Sequence, residues 1–330
     1  MLTRDIFSVA PMVDYTDRHA RVFHRLLSKH ACLYTEMLTT NSIIHSKRDL
    51  LYHPDDLGRV VLQLGGNVPS DLSLCSQKGE MAGYSAINLN CGCPSSRVID
   101  GGFGVGMMKD TKVVVSCLKA MMDSVSIDVT IKHRLGIDYT FCYSMFRDFV
   151  GAVAESGVRT FIIHARNAIL EKKVSPKINL SALTLRYDLV YRIKDDFPDL
   201  CIVINGHILN FDDVVVHLKK VDGVMLGRKV LNDPWFLRRV DSLYGDSVEG
   251  EEVTRRAIVR KFVEYALMQE KQRDGIGAYR LMKYIVNIMN GTHGACRWRR
   301  IISSVRKNSD MAHVLDFIEN KAEEKETCLV

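Results

Sequence analysis

Short runs rich in β-branched and apolar residues recur along the chain at 7–10, 32–36, 60–64, 86–89, 129–132, 160–163, 201–204 and 223–226. Each has the length of a strand. Segments with helical spacing lie between them, among them 111–123, 143–155, 185–194 and 212–220. Strands that alternate with helices must pair in parallel, because each connection crosses back over the sheet. Eight such units within residues 1–240 predict a (β/α)₈ barrel. The rival is a doubly wound sheet. It requires a Gly-rich turn after the first strand, where this chain has Pro11-Met12-Val13.

The polar residues supplement the apolar pattern. The second run ends at Glu36, the third holds Gln63, and the fourth leads into Asn90 to Cys93. The fifth closes in Lys132 and His133, the sixth in His164 and Arg166, the seventh in Asn205-Gly206 and the eighth in Gly227-Arg228. Buried polar groups each need a hydrogen-bond partner. A ligand rimmed by the C-terminal strand ends, where barrels build their sites, accounts for all of them at once.

After Asp246 the period changes. Ile258, Phe262, Tyr265 and Ala266 form one helical stripe; Leu281, Met282, Ile285, Val286 and Met289 a second; and Met311, Val314, Leu315 and Ile318 a third. The chain therefore reads as a TIM-barrel domain over residues 1–244 and a small all-helical C-terminal domain over 245–330, with the linker near 243–252.

Composition sharpens this picture. Of 330 residues, 47% are apolar and 25% charged, so the chain is globular. No run approaches the roughly 18 apolar residues a membrane helix needs, and the N-terminus lacks a signal-peptide core. Nine cysteines without regular spacing argue for reduced thiols and a cytoplasmic location. The net charge of +6 is unevenly spread: residues 255–307 carry 13 basic and 3 acidic side chains. That is an anion-binding footprint, and a phosphate backbone is its commonest partner.

Asn205-Gly206 and Gly227-Arg228 stand at consecutive strand ends, where barrels often cradle phosphate. Glycine lets backbone N–H groups approach an anion, and Arg228 adds a charged fork. A Lys132 buried in the mouth must pair or lose its proton, and a flavin ring offers it a partner. Gln63 and His164 have hydrogen-bonding groups for the same ring or for its phosphate. Cys91-Gly-Cys93-Pro94 lacks the further ligands of a zinc site, and two cysteines so close would close a strained ring. A thiol on such a loop suits a proton donor, since an unperturbed thiol with pKa of roughly 8.5 keeps its proton at neutral pH. Spacing alone leaves open which of the two acts.

The chain resembles the tRNA-dihydrouridine synthases, and within them the tRNA-dihydrouridine(20/20a) branch. The resemblance runs through Val9-Ala-Pro-Met-Val-Asp-Tyr-Thr-Asp17, Thr35-Glu-Met37, Ile87-Asn-Leu-Asn-Cys-Gly-Cys-Pro-Ser95, Ile131-Lys-His-Arg134, Ile163-His-Ala-Arg166, Ser175-Pro-Lys177 and Asp222-Gly-Val-Met-Leu-Gly-Arg228. It extends to Gly294-Ala-Cys-Arg-Trp-Arg-Arg300 in the helical part. What it implies is an FMN-dependent barrel that reduces a D-loop uridine in tRNA, at positions 20/20a, with NADPH as the reductant of the flavin. Hydride would pass to C6 of the uracil and a proton to C5. By the family pattern the acid is Cys93. Pro11, Met12 and Val13 pack on the flavin, and Gln63, Lys132 and His164 bond to it. Asn205, Gly206, His207, Gly227 and Arg228 hold its phosphate. Asn90, Arg166, Lys177, Arg297, Arg299 and Arg300 fall at tRNA-contacting positions. No metal and no protein partner are implied.

Four positions depart from that pattern. His207 replaces a second glycine, where a positive φ would be costly; Asn167 follows His-Ala-Arg in place of lysine; Asn179-Leu180 replaces Asn-Arg; and Cys296 replaces arginine. The alternatives to a tRNA reductase are a flavin barrel acting on a free pyrimidine or other small enone, and a catalytically silent tRNA-binding protein. The basic segment speaks against the first alternative, since a small substrate has no need of it.

Overall fold

The computed structural model describes residues 6–54, 57–138, 142–170, 184–246, 254–271 and 276–320. Eight parallel strands close in chain order into a barrel: β1 (Phe7–Val9), β2 (Cys32–Thr39), β3 (Val60–Gly65), β4 (Ala86–Cys91), β5 (Asp128–Arg134), β6 (Thr160–His164), β7 (Cys201–Asn205) and β8 (Gly223–Leu226). Every run read from the sequence is a strand. Pairing of β1 with β8 closes the cylinder, which excludes the doubly wound sheet.

The strands read as continuous apolar runs because both faces are covered: all six residues of β3 and all six of β4 are buried. The intervening helices turn one stripe inward. In the helix Tyr143–Glu155 that stripe is Phe146, Phe149, Val150, Val153 and Ala154, at the spacing of a single face. The helix Thr111–Met122 is started by Asp110, whose carboxylate accepts from the amides of Lys112 and Val113.

Inside the barrel, Ala10, Cys32, Tyr34, Val61, Ala86, Ile162, Val203 and Met225 form an apolar floor. Above it the inward positions turn polar. In register, Gln63 faces Asn88, Asn88 faces Thr130, Asn90 faces Lys132 and His164 faces Asn205. Successive strand residues point to opposite faces, so Lys132 and His133 cannot both line the mouth, as their joint reading from the sequence assumed. His133 packs outside the barrel among Phe146, Phe149 and Phe161. Burial holds it neutral, with its pKa down to about 4, despite the hydrogen bond to the Arg134 carbonyl.

The described residues divide into two compact units, one within residues 1–18 and 31–227 and the other within 19–30 and 228–330. The sequence reading ended the barrel domain at 244; the division falls after Gly227, and residues 19–30 go with the second unit. The reason is local packing. Phe23 meets Phe262 at 5.2 Å between ring centroids, and Asp241 accepts from Ser28 Oγ, Lys29 N and His30 N.

Within the second unit the helices Arg255–Lys271, Ala295–Ser304 and Met311–Asn320 carry two of the expected stripes. The remaining stripe, from Leu281, falls on a 3₁₀ helix, Ala278–Ile285, instead of an α-helix. Trp298 is buried at the centre of this unit, donating from Nε1 to the Ile285 carbonyl at 2.9 Å. Arg260, Lys261, Lys271, Arg280, Lys283, Arg297, Arg300, Arg306 and Lys307 are exposed on its surface. Among the described residues, no helix is long and apolar enough to cross a membrane.

The buried polar layer yields a stability prediction. Asn88→Leu keeps the volume but removes the acceptor for Gln63 Nε2, which donates to Asn88 Oδ1 at 2.7 Å. Leaving that amide unsatisfied is expected to cost about 1–3 kcal/mol, seen as a lower urea midpoint at unchanged slope.

Candidate active site

The turn after β4 is fixed from below by a chain of hydrogen bonds. Thr130 Oγ1 donates to the Ile87 carbonyl at 3.3 Å and accepts from Asn88 Nδ2 at 2.9 Å. Asn88 Oδ1 accepts from Gln63 Nε2, and Gln63 Oε1 accepts from Asn90 Nδ2 at 2.8 Å. Asn90 Oδ1 then receives the amides of Gly92 and Cys93, at 3.1 and 3.0 Å. Asn90 and Gln63, expected on substrate and cofactor respectively, are thus engaged first with one another. Each keeps one side-chain N–H in excess of these bonds.

The two cysteines of this turn differ sharply. Cys91 is fully buried and burial drives its thiol pKa far upward, which removes it from chemistry. Cys93 is half-buried, with its Sγ 3.6 Å from Ser95 Oγ. Its carbonyl accepts from Val105 N at 3.1 Å. Gly104, at φ 65°, leaves no space beneath it: an added Cβ would lie 2.8 Å from that carbonyl oxygen. The alternative left open by spacing is therefore decided by burial, in favour of Cys93 as the accessible thiol.

Across the mouth, Lys132 Nζ donates to Asn205 Oδ1 at 3.0 Å, and Asn205 Nδ2 donates to the Met225 carbonyl at 2.8 Å. Lys132 keeps some solvent contact, yet the protein packed around it pushes its pKa down to about 7. Burial is the main cause, the Arg134 charge adds to it, and the Cys93 sulfur opposes it. Arg134 is itself buried and held down to about 10, again by burial first. It donates to the carbonyls of Gly92 and Asn167, at 2.9 and 2.8 Å. One thiol and two cations thus share one electrostatic neighbourhood.

Next to Asn205 the chain turns through Gly206 at φ 133° and His207 at φ 53°. The positive φ foreseen as costly at His207 is adopted. A Cβ on Gly206 would lie 3.0 Å from the His164 ring, so His164 lines this turn. The Tyr187 hydroxyl donates to the Gly206 carbonyl, and Tyr187 packs edge-on against His217. A Cβ on Gly227 would lie 3.1 Å from Met12 Sδ, which brings the β1 loop to the end of β8. That loop is held by Thr16, whose Oγ1 accepts from Met12 N at 2.9 Å, and by Glu36, which accepts from Asp14 N. The Met12 amide is thereby engaged. Pro11 and Met12 are half-buried, and Val13 is exposed.

The remaining expected residues are more dispersed. Arg166 is buried after β6, close enough to Arg134 to feel its charge. Arg228 opens the short helix Arg228–Asn232. Arg297 and Arg300 are exposed, while Arg299 donates to Cys296 Sγ at 3.3 Å. Lys177, with Asn179 and Leu180, lies outside the described residues. Sequence reasoning missed Asn88, Thr130, Arg134 and Tyr187. The first two carried a signal: polar residues at alternate positions with Asn90 and Lys132, in strands otherwise apolar. Tyr187 carried none.

Comparison with known proteins bears on this geometry. Residues 8–325 match the profile of a family described as "Dihydrouridine synthase (Dus)". The chain is 42% identical over 313 residues to the tRNA-dihydrouridine(20/20a) synthase of Pseudomonas aeruginosa, covering 94% of this chain and 93% of that one. It is 45% identical over 302 residues to the protein of that name from Yersinia pestis, covering 90% and 85%. For the one from Escherichia coli the identity is 43% over 299 residues, again covering 90% and 85%. Among solved structures, a 2-naphthoyl-CoA reductase complex aligns with a TM-score of 0.52 at 8% identity, covering 72% of this chain and 50% of that one. That likeness is one of barrel fold alone.

The left-handed residue after Gly206 generates the prediction from this geometry. An L-residue there costs about 1–2 kcal/mol, partly offset because glycine loses more entropy on folding. His207→Gly is expected to raise stability by up to about 1 kcal/mol, measured as a higher thermal midpoint.

Proposed function

From the chain's membership of the dihydrouridine synthase family, we propose that it reduces the C5–C6 double bond of a D-loop uridine in tRNA, at positions 20/20a. FMN is its bound cofactor, NADPH the reductant and Cys93 the acid. The observation that carries this reading is the turn at Asn90–Cys93. It presents one accessible thiol beside Lys132 and Arg134, while Cys91 is withdrawn into the core.

The residues fit a flavin nucleotide. Lys132 is a cation that burial weakens, so an anionic group near it restores its proton and gains by doing so. Gly206 and Gly227 give close backbone approach, with His164 and Met12 beside them. Arg228 follows Gly227 in the chain and offers a charged fork for phosphate. Pro11, Met12 and Val13 offer a surface on which a planar ring packs.

When bound, the flavin supplies a hydride for C6 of the uracil. The protein does the rest. Cys93 delivers a proton to C5, and Asn90 directs its remaining amide hydrogen at the base, where charge develops on the ring oxygens. A uridine stacked in folded tRNA cannot enter a barrel, so the nucleotide is turned out of its stack before reaction. The exposed basic residues of the helical unit, Arg297 and Arg300 among them, hold the tRNA through its phosphates and shape. A cytoplasmic location follows from that substrate.

Cys93→Ala is expected to lower dihydrouridine formation by about 100-fold, read by mass spectrometry of the tRNA product, with FMN affinity unchanged within about twofold. Dihydrouridine formed at the unmutated rate would remove Cys93 as the acid. Purified protein reconstituted with FMN is expected to be yellow.

FMN binding is expected to depend on pH through Lys132. With its pKa lowered to about 7, the amine is charged below that value and affinity is full there. Above it, binding an anion requires recharging the amine. Affinity therefore falls by up to about tenfold per pH unit until the pKa of the complex is reached. Titration of flavin fluorescence between pH 6 and pH 9 measures this, and Lys132→Met is expected to flatten the profile.

A further inference from the structure

We propose that Ser95 is a second member of the acid. Its hydroxyl accepts the Cys93 S–H in the resting enzyme and donates to the sulfur once the thiol has given up its proton. This inference rests on Cys93 being the proton donor.

The geometry assigns the hydroxyl to that task. Ser95 stands at the N-cap position of the helix Ser96–Asp100, with extended dihedrals of φ −69° and ψ 144°. A serine there ordinarily turns its oxygen onto an amide of the first turn. Ser95 does not: its side chain makes no capping bond, and its main-chain carbonyl accepts from Val98 N and Ile99 N, both at 3.0 Å. The hydroxyl lies instead 3.6 Å from Cys93 Sγ. Pro94, between the two, has no N–H to offer the sulfur. The main chain on either side of Cys93 is immobilised, through Asn90 Oδ1 before it and Val105 N after it. The other charged groups that act on the sulfur are Lys132 and Arg134, both on β5. Lys132 Nζ donates to Asn205 Oδ1 and Arg134 to the carbonyls of Gly92 and Asn167, so these two act on the sulfur through charge, whereas the Ser95 hydroxyl touches it.

The proton balance is simple. The Cys93 S–H bond breaks as the C5–H bond forms, and the electron pair remains on sulfur. The Ser95 hydroxyl then gives its proton to sulfur and takes one from a solvent water, whose hydroxide is neutralised by the buffer. One solvent proton enters per turnover, and the thiol and the hydroxyl are both restored.

The test is alkylation of the full-length protein by iodoacetamide across pH, with the modified peptides mapped by mass spectrometry so that Cys93 is read apart from the exposed Cys142 and Cys296. Removing a hydrogen bond to a thiolate in Ser95→Ala is expected to raise the Cys93 midpoint by about one pH unit. Dihydrouridine formation near neutral pH is expected to fall about tenfold, and Ser95→Thr, which keeps the hydroxyl, to restore both. An unshifted midpoint in Ser95→Ala overturns the proposal, whether or not the rate falls, since a slower enzyme with an unperturbed thiol marks a merely structural serine. A Cys93→Ala enzyme that works at the unmutated rate overturns the acid assignment itself, and is distinguished by leaving the Ser95→Ala midpoint to be read independently.

Discussion

Four polar side chains stacked inside the barrel have only one self-consistent way to be satisfied. Thr130 gives its proton to the Ile87 carbonyl and must then accept from Asn88. That turns the Asn88 oxygen toward Gln63, the Gln63 oxygen toward Asn90, and the Asn90 oxygen toward the amides of Gly92 and Cys93. Each amide is oriented by the one below it, and a flip at any point would set two donors or two acceptors face to face. In a low-dielectric interior such a mismatch is expensive. The direction of the chain is fixed at one end by the Ile87 carbonyl, which only accepts, and at the other by the Gly92 and Cys93 amides, which only donate, and it sets how the thiol-bearing turn is held.

Electrostatics in the same mouth depend on that arrangement. Lys132 and Arg134, both on β5, are brought together with Arg166, which follows β6, and Arg134 is tied to the carbonyl of Gly92. Fixing the turn thus fixes a guanidinium beside it, and that charge contributes to the lowered pKa of Lys132. Burial costs the amine part of its proton affinity, which an anionic group placed beside it would return.

Much of this was legible in the sequence, for reasons that particular residues make clear. Strand positions followed from apolar runs, because parallel strands covered on both faces carry no polar interruptions until their C-terminal ends. Pairs of adjacent polar residues were the difficulty. Lys132 and His133, or Cys91 and Cys93 with the glycine between, look equivalent in one dimension. The alternation of a pleated strand sends His133 into an aromatic cage, and burial withdraws Cys91. The directed amide chain was not legible either, since it depends on which side chains register across three strands. Tyr187, reaching from a helix to the Gly206 carbonyl, leaves no pattern at all. In the helical unit, the stripe from Leu281 has an apolar spacing compatible with both helical forms, and it settles as a 3₁₀ turn.

The departures from the family pattern share one feature in the parts described. Asn167, where the pattern has lysine, spends its carbonyl on Arg134 and its amide on the Asp138 carbonyl. Cys296 sits exposed and takes a hydrogen bond from Arg299. His207 holds a left-handed conformation beside a turn that Tyr187 already pins through its neighbour Gly206. None of the three enters the amide chain beneath Cys93 or the bond between Lys132 and Asn205. A substitution in the chain would disturb every member above it, because its bonds are directional and buried. A substitution at the rim changes one contact, and solvent compensates for much of what is lost. The three departures therefore fall at residues that keep some exposure, outside the chain of buried amides that supports the thiol-bearing turn.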